Sequence, residues 1–206
     1  MSCPPFRWLV VTDASVADGA RTIAAVERLA ATVGGASVAI GLRDHGLTSR
    51  RRLELGRELR RATRALGATL LVFDRIDLAI AIDADGVHLG ERSVSVVDAR
   101  ALLPHARWVG RSCHDFDGLR DALACGADYA TLSPIFPSPD KGEPIGVERA
   151  REWISACGAL PIFALGGVDA DTFALASSTG AHGFALIRGA LGEGAIERLI
   201  DASRAR

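Results

Sequence analysis

Eight short runs of apolar residues recur along the chain, and each run ends on polar or glycyl residues. The runs are nearly continuous in hydrophobicity, which is typical of parallel strands that are covered on both faces. We therefore predict eight strands, over residues 7–13, 36–44, 68–74, 85–91, 106–112, 127–134, 160–168 and 181–189.

Between the strands lie amphipathic stretches with the period of a helix. They include residues 22–34, 49–67, 95–103, 116–126, 147–158 and 171–180. Several close on a glycine, the residue that most easily adopts the left-handed conformation that stops a helix. These glycines are Gly34, Gly67, Gly126, Gly158 and Gly180.

The alternation of strands and helices predicts an α/β fold with one domain over residues 1–206, a (β/α)8 TIM barrel. A doubly wound open sheet is the alternative. The G-x-G-x-x-G turn expected early in such a sheet is absent. In a barrel the active site lies where the strands end, so the polar residues that follow each run become the candidates.

Composition narrows the class of partner. The formal net charge of −1 gives no electrostatic reason to expect binding to nucleic acid or to an anionic membrane. The chain has no apolar run long enough for a transmembrane helix, and its first residues do not resemble a signal peptide. Its four scattered cysteines are typical of reduced thiols, so we expect a cytoplasmic protein.

The ends of strands seven and eight predict a phosphate site. Gly166 and Gly167 follow strand seven and precede a helix, and Ile187-Arg188 follows strand eight. These two loops of a barrel often hold phosphate on backbone N–H groups, and glycine lets the backbone approach closely. Arg188 would add a charge-assisted contact. A tight turn that simply requires glycine is the alternative.

Other strand ends carry titratable or hydrogen-bonding groups. His114, after strand five, is a candidate general acid or base, while Cys113 beside it is interpreted as packing. Arg43, after strand two, is a candidate for an anionic group of a substrate or for a structural pair with an aspartate. His88 lies inside an apolar run and is interpreted as a hydrogen-bonded core residue.

Lys141 is the only lysine of the chain and lies in the loop TLSPIFPSPDKGEPIG, which carries four prolines. Because arginine supplies every other basic side chain, this lysine is a candidate for a role that needs a compact ammonium group. We expect the stiff loop to cover the barrel mouth and to bring Lys141 and Ser138 towards a substrate.

Together, FDRIDLAIAIDADGVHLGE, WVGRSCH, GADYATLSPIFPSPDKG and PIFALGGVD followed by GAHGFALIRG resemble the thiamine phosphate synthase/TenI superfamily. The resemblance implies a barrel that acts on phosphorylated thiazoles in thiamine biosynthesis. One branch joins a pyrimidine diphosphate to thiazole phosphate with magnesium, and the TenI branch includes thiazole tautomerases that only move protons.

Matching position by position, the resemblance implies substrate contacts at Arg43, Ser112 and Lys141, and phosphate contacts at Ser138, Gly167 and Ile187. The resemblance also shows departures from the synthases. In the strand-two motif, Gly41 stands where the synthases have Gln and His45 where they have Lys. Phe73 stands in place of the Asn before Asp74, and Ser93 in place of the second metal aspartate. The T-x-T motif reads Ser138-Pro139-Asp140, and Arg188 replaces a serine. Asp74 alone remains as a metal ligand of the synthase pattern.

These departures, and the GRSCH motif with Arg111, favour the TenI branch. We therefore expect a thiazole tautomerase in which His114 relays a proton, with Lys141 as a second catalytic candidate, and no cofactor is required. The alternatives are a divergent synthase with magnesium, a barrel that binds a phosphorylated metabolite without turnover, and Schiff-base chemistry at Lys141. The expected partner is a small molecule, and barrels of this kind often form homodimers.

Overall fold

Eight parallel strands close into a barrel in chain order, and β8 pairs with β1. The structure is a computed structural model that describes residues 3–139 and 141–204. The predicted (β/α)8 barrel is confirmed, and the open sheet is excluded by the closing pair. The strands are β1 Trp8–Val11, β2 Val38–Leu42, β3 Thr69–Phe73, β4 Gly86–Leu89, β5 Trp108–Cys113, β6 Tyr129–Leu132, β7 Ile162–Ala164 and β8 Gly183–Leu186.

Helices surround the barrel between successive strands. They are α1 Gly19–Val33, α2 Ser49–Leu66, α3 Ile76–Ala81, α4 Val96–Leu102, α5 Phe116–Ala124, α6 Val147–Ala156, α7 Phe173–Ser178, α8 Arg188–Leu191 and α9 Ala195–Arg204. Four begin at a side-chain cap, because Asp18, Thr48, Ser95 and Asp115 accept from an N–H of the first turn. α3, α8 and α9 fall outside the stretches predicted as helical.

Four of the five glycines predicted to stop helices have positive φ angles, namely Gly34, Gly67, Gly126 and Gly180. The prediction for Gly158 is wrong. α6 ends instead through Cys157, whose φ is −98°, and its N–H donates to the carbonyl of Trp153. The chain therefore leaves this helix without the left-handed residue that glycine was expected to provide.

The barrel interior is filled by aromatic side chains. Phe6, which precedes β1, packs against Trp108, Tyr129 and Phe163 with ring centroids 5.3 to 6.0 Å apart. All four side chains are almost completely buried. Aromatic pairs of this kind add about 0.5–1.5 kcal/mol each beyond the area they bury. A second, larger apolar cluster lies between the strands and the surrounding helices.

All four cysteines are free thiols, as the sequence predicts. Burial raises the pKa of Cys113 to about 12, which makes this thiol a poor nucleophile. Its interpretation as a packing residue is consistent with that environment. No helix within residues 3–139 and 141–204 combines the length and the hydrophobicity needed to cross a bilayer.

The aromatic interior predicts the effect of a single added methyl group. A Cβ at Gly110 would lie 2.1 Å from Cζ of Tyr129, whose ring is fixed by its neighbours. We expect Gly110→Ala to lower the free energy of unfolding by about 1–3 kcal/mol, measured by urea denaturation. The matched control is Gly46→Ala, which meets no atom within 4 Å and should change stability by less than about 0.5 kcal/mol. Equal stability of both variants would contradict the packing described.

Candidate active site

A cavity of about 380 Å³ opens where β6, β7 and β8 end, with the ends of β1 and β2 on its far side. The residues that line it come from five separate parts of the sequence. They include Asp13, Arg43, Pro137, Ser138, Pro139, Lys141, Gly166, Gly167, Asp169, Ile187 and Arg188. Seven of the predicted site residues therefore meet at one cavity: Arg43, Ser138, Lys141, Gly166, Gly167, Ile187 and Arg188.

The two glycines form the floor of this cavity. Gly166 and Gly167 have φ angles of +89° and +67°, a region that residues with a Cβ rarely adopt. A Cβ on Gly167 would lie 2.7 Å from Cβ of Phe136, so the loop after β6 also requires glycine at this position. The backbone N–H groups of Gly166, Gly167 and Val168 donate no hydrogen bond to any residue that the structure describes. Such a turn is suited to bind an anion.

The loop after β6 is the wall of the cavity. Its backbone is hydrogen-bonded to the turn after β7, from Ile135 N–H to the carbonyl of Leu165 (2.9 Å) and from Phe136 N–H to that of Gly166 (3.0 Å). These bonds hold Ser138 and Lys141 at the cavity. Asp140, which stands in the phosphate motif predicted from the sequence, lies outside the described residues.

Three cationic side chains line the cavity, and one of them is paired. Nη2 of Arg43 lies 2.7 Å from Oδ2 of Asp13. Burial opposes ionisation of Asp13, but hydrogen bonds from Ser15 and the charges of Arg43 and Arg188 lower its pKa on balance. Among the described residues, neither Lys141 nor Arg188 has a carboxylate partner within ion-pair distance. Two positive charges are therefore left for an anion.

His114 follows β5, beside the end of β6, and does not line this cavity. Its Nδ1 is 2.7 Å from the carbonyl oxygen of Ser133, which can only accept, so Nδ1 carries the proton. In the neutral imidazole Nε2 is then an acceptor, and it lies 3.9 Å from Oε1 of Glu91. Each of these two groups is able to take a proton from a donor bound between them. Glu91 was not singled out in the sequence, because no spacing along the chain relates it to His114.

Ser112 also lies on the side of β5, within a polar chain in the barrel. His88 is fully buried, with Nε2 2.9 Å from Oγ of Ser112 and Nδ1 3.0 Å from the hydroxyl of Tyr129. Burial lowers the pKa of His88 to about 3, so the imidazole is neutral in the folded protein. The sequence-based interpretation of His88 as a hydrogen-bonded core residue agrees with this geometry.

Asp74 directly follows β3 and has a φ of +62°, a left-handed conformation that is uncommon for a residue other than glycine. Its Oδ1 accepts from the N–H of Gly90 (2.8 Å) and from the hydroxyl of Ser93. Its Oδ2 lies 4.0 Å from Nε2 of His45. Across the part of the chain that the structure describes, no three His, Cys, Asp or Glu side chains are placed to hold a metal ion together.

A larger hollow of about 810 Å³ lies at the opposite end of the barrel, beside Cys3, Arg7, Arg151 and His182. None of the predicted site residues lines it. Its two guanidinium groups are hydrogen-bonded to the carbonyl oxygens of His182 and Ser178. The smaller cavity at the strand ends is therefore the candidate active site.

The comparison with known families decides the identity of the chain. The family described as thiamine monophosphate synthase (TMP-TENI) matches residues 8–190. The chain belongs to this family. It is accordingly an enzyme of thiamine biosynthesis, as the resemblance of its motifs implies.

Relatives of known name match this chain over most of its length and over most of their own. A thiamine-phosphate synthase of Moorella thermoacetica is 38% identical over 192 residues, covering 92% of this chain and 90% of the relative. One of Natronomonas pharaonis is 40% identical over 206 residues, covering 96% and 94%. The solved thiamine phosphate pyrophosphorylase of Pyrococcus furiosus superposes with a TM-score of 0.84 at 28% identity, covering 98% and 95%.

The names of the relatives indicate which branch of the family this chain resembles more. The superfamily predicted from the sequence is confirmed, but the relatives carry the name of the synthase, which the sequence analysis held as the alternative. They do not support placement in the TenI branch.

Few oxygen ligands are available at the position where the synthase pattern binds magnesium. Asp74 is one carboxylate, and its Oδ1 already accepts two hydrogen bonds. Ser93, at the position of the second metal aspartate, contributes a neutral hydroxyl. Magnesium requires near-octahedral oxygen ligands, commonly with one or two carboxylates and the phosphates of a substrate. The residues do not fit a resident magnesium ion.

Lys141 and Arg188, which have no carboxylate partner among the described residues, predict how the cavity binds anions. We expect Lys141→Met to weaken the binding of inorganic diphosphate by about tenfold or more, because a charge-assisted contact is lost while the length of the side chain is kept. Titration calorimetry at low ionic strength measures the affinity. The control is Arg149→Met, an exposed cation on α6 that does not line the cavity. An equal loss in both variants would mean that only the overall charge matters.

Proposed function

We propose that the chain is a thiamine-phosphate synthase, which joins a pyrimidine diphosphate to a thiazole phosphate. The observation that carries the proposal is the convergence of Arg43, Lys141 and Arg188 with the Gly166-Gly167 turn at one cavity. Both substrates are phosphorylated, and a reaction that releases diphosphate needs its charge neutralised. The named relatives, which match most of their own length, support the same reaction.

The groups that line the cavity, together with Ser112 on β5, have separate roles in this proposal. The glycine turn, Ser138 and Arg188 hold the phosphate of the thiazole. Lys141 and Arg43 face the departing diphosphate, and Ser112 donates to it from β5. The wall formed by the loop after β6 limits the access of water, which would otherwise hydrolyse the activated pyrimidine. Any magnesium in the reaction would arrive with the diphosphate as part of the substrate.

Thiazole tautomerisation is the second candidate, and the metal position favours it. One carboxylate and one serine stand where a synthase needs two carboxylates, whereas proton transfer needs no metal. His114 has its Nδ1 fixed by Ser133, and its free Nε2 faces the carboxylate of Glu91. This arrangement is suited to take a proton from a bound ring and to return one elsewhere.

A paired assay on one purified sample separates the two reactions. Diphosphate release from the two phosphorylated substrates is measured with and without magnesium, and aromatisation of the thiazole tautomer is followed in parallel. We expect diphosphate release above the background rate. Aromatisation without diphosphate release would replace the synthase by the tautomerase. Binding of thiazole phosphate by calorimetry without either reaction would identify a non-catalytic barrel.

His114 and Glu91 give a sharper prediction within the second candidate. If proton transfer is the reaction, His114→Ala should slow aromatisation by about 10²–10⁴-fold, the usual contribution of a general acid or base. Glu91→Gln removes the charge at nearly constant shape and should reduce the rate by a smaller factor. The control is Glu143→Gln, an exposed carboxylate of the loop after β6 for which the structure shows no ion pair among the described residues. Unchanged rates in His114→Ala would remove this residue from the mechanism.

A further inference from the structure

A polar chain of three side chains crosses the barrel interior from β6 through β4 to β5. The Tyr129 hydroxyl lies 3.0 Å from Nδ1 of His88, and Nε2 of His88 lies 2.9 Å from Oγ of Ser112. Tyr129 and His88 are fully buried, and Ser112 at the end of the chain is partly exposed near the mouth. In each of these two hydrogen bonds either group can be the donor, and the surroundings of the three side chains determine which one donates.

The surroundings of Tyr129 fix the first link. Its ring packs among Phe6, Phe163 and the backbone of Gly110, and it is fully buried there. Of the residues that the structure describes, His88 is the only hydrogen-bond partner of its hydroxyl. A buried O–H without an acceptor is costly, whereas a hydroxyl oxygen that accepts nothing costs much less. Tyr129 therefore donates its proton to Nδ1 of His88.

The second link follows from the first. With Nδ1 accepting, the neutral imidazole carries its proton on Nε2. Nε2–H donates to Oγ of Ser112, and Oγ1 of Thr131 lies further from it at 3.4 Å. The Phe73 ring lies against the imidazole, with centroids 4.5 Å apart, and hinders rotation of the ring.

The direction of these bonds leaves the proton of Ser112 available. Oγ of Ser112 accepts from His88, and within residues 3–139 and 141–204 it has no acceptor for its own hydrogen. Had His88 carried its proton on Nδ1, Ser112 would instead donate inward, and its oxygen would face the mouth as an acceptor. Such an acceptor would repel a phosphate oxygen.

We propose that Tyr129 and His88 are positioning residues that hold the Ser112 hydroxyl as a hydrogen-bond donor to an anionic diphosphate oxygen of the substrate. The proposal rests on the proposed function, which supplies the phosphorylated substrate. It goes further, because it assigns a substrate-directed role to two buried residues on neighbouring strands. It also explains why a histidine and a tyrosine stand in an otherwise apolar barrel interior.

The first experiment measures the tautomer of His88 in the free protein and does not depend on activity. Nitrogen-15 NMR of the imidazole groups distinguishes a protonated from an unprotonated ring nitrogen. The chain has five histidines, and the signals of His88 are identified by their loss in His88→Gln. We expect the Nε2–H tautomer in the wild type and a mixture of tautomers in Tyr129→Phe. A wild-type protein with the Nδ1–H tautomer would overturn the proposal.

The second experiment measures binding of inorganic diphosphate by calorimetry. We expect Ser112→Ala to weaken binding by about tenfold and Tyr129→Phe by a smaller, several-fold factor. In the double variant the loss should equal that of Ser112→Ala alone, because Tyr129 acts only through this hydroxyl. Additive losses would overturn the positioning role.

The control is Thr22→Val, which removes a buried hydroxyl that donates to the carbonyl of Asp18 in the first turn of α1 and does not line the anion cavity. It should leave the affinity for diphosphate unchanged, and thermal unfolding of every variant checks that it is folded. Wild-type protein that binds no diphosphate would overturn the donor role of Ser112. A different outcome is that diphosphate binds, with the expected losses in the single and double variants, but that no turnover occurs. This result would contradict the proposed synthase and leave the positioning role standing.

Discussion

The hydrogen-bonded seam between β1 and β8 is the contact on which the rest of the molecule depends. Trp8, Leu9 and Val10 pair in parallel register with Phe184, Ala185 and Leu186. Because all eight strands run the same way, closing the sheet brings all eight carboxyl ends to one rim. Without that seam the cations after β2 and β8 would lie on opposite edges of an open sheet. The cavity is thus a consequence of closure.

The mouth has two chemically different sides. The side of β6, β7 and β8 carries glycine backbone together with Lys141 and Arg188, which pair with no carboxylate among the described residues and suit phosphate groups. The side of β3, β4 and β5 carries Asp74, Glu91 and His114, which are engaged in hydrogen bonds or lie near one another. This division is what makes both a synthase and a tautomerase compatible with one barrel.

The aromatic interior supports this rim from below. Phe6, Trp108 and Phe163 fill the barrel with buried rings, and the polar chain through His88 lies among them. Polar groups in such surroundings keep a single arrangement, since an unpaired donor there is costly. The same packing that stabilises the fold therefore also orients a hydroxyl at the site.

The sequence by itself determined the eight strands, the barrel, the family and seven of the residues that line the cavity, because hydrophobic runs, glycines and short motifs are local signals. It missed Glu91 beside His114, misjudged Gly158 as a helix stop, and placed the chain nearer to the TenI branch than its named relatives do. Only the tertiary structure decided that Arg43 pairs with Asp13, that Asp74 is held by Ser93, and which way the His88 chain is oriented. Each of these depends on contacts between strands that lie far apart in sequence, and no local pattern encodes the distance between two side chains.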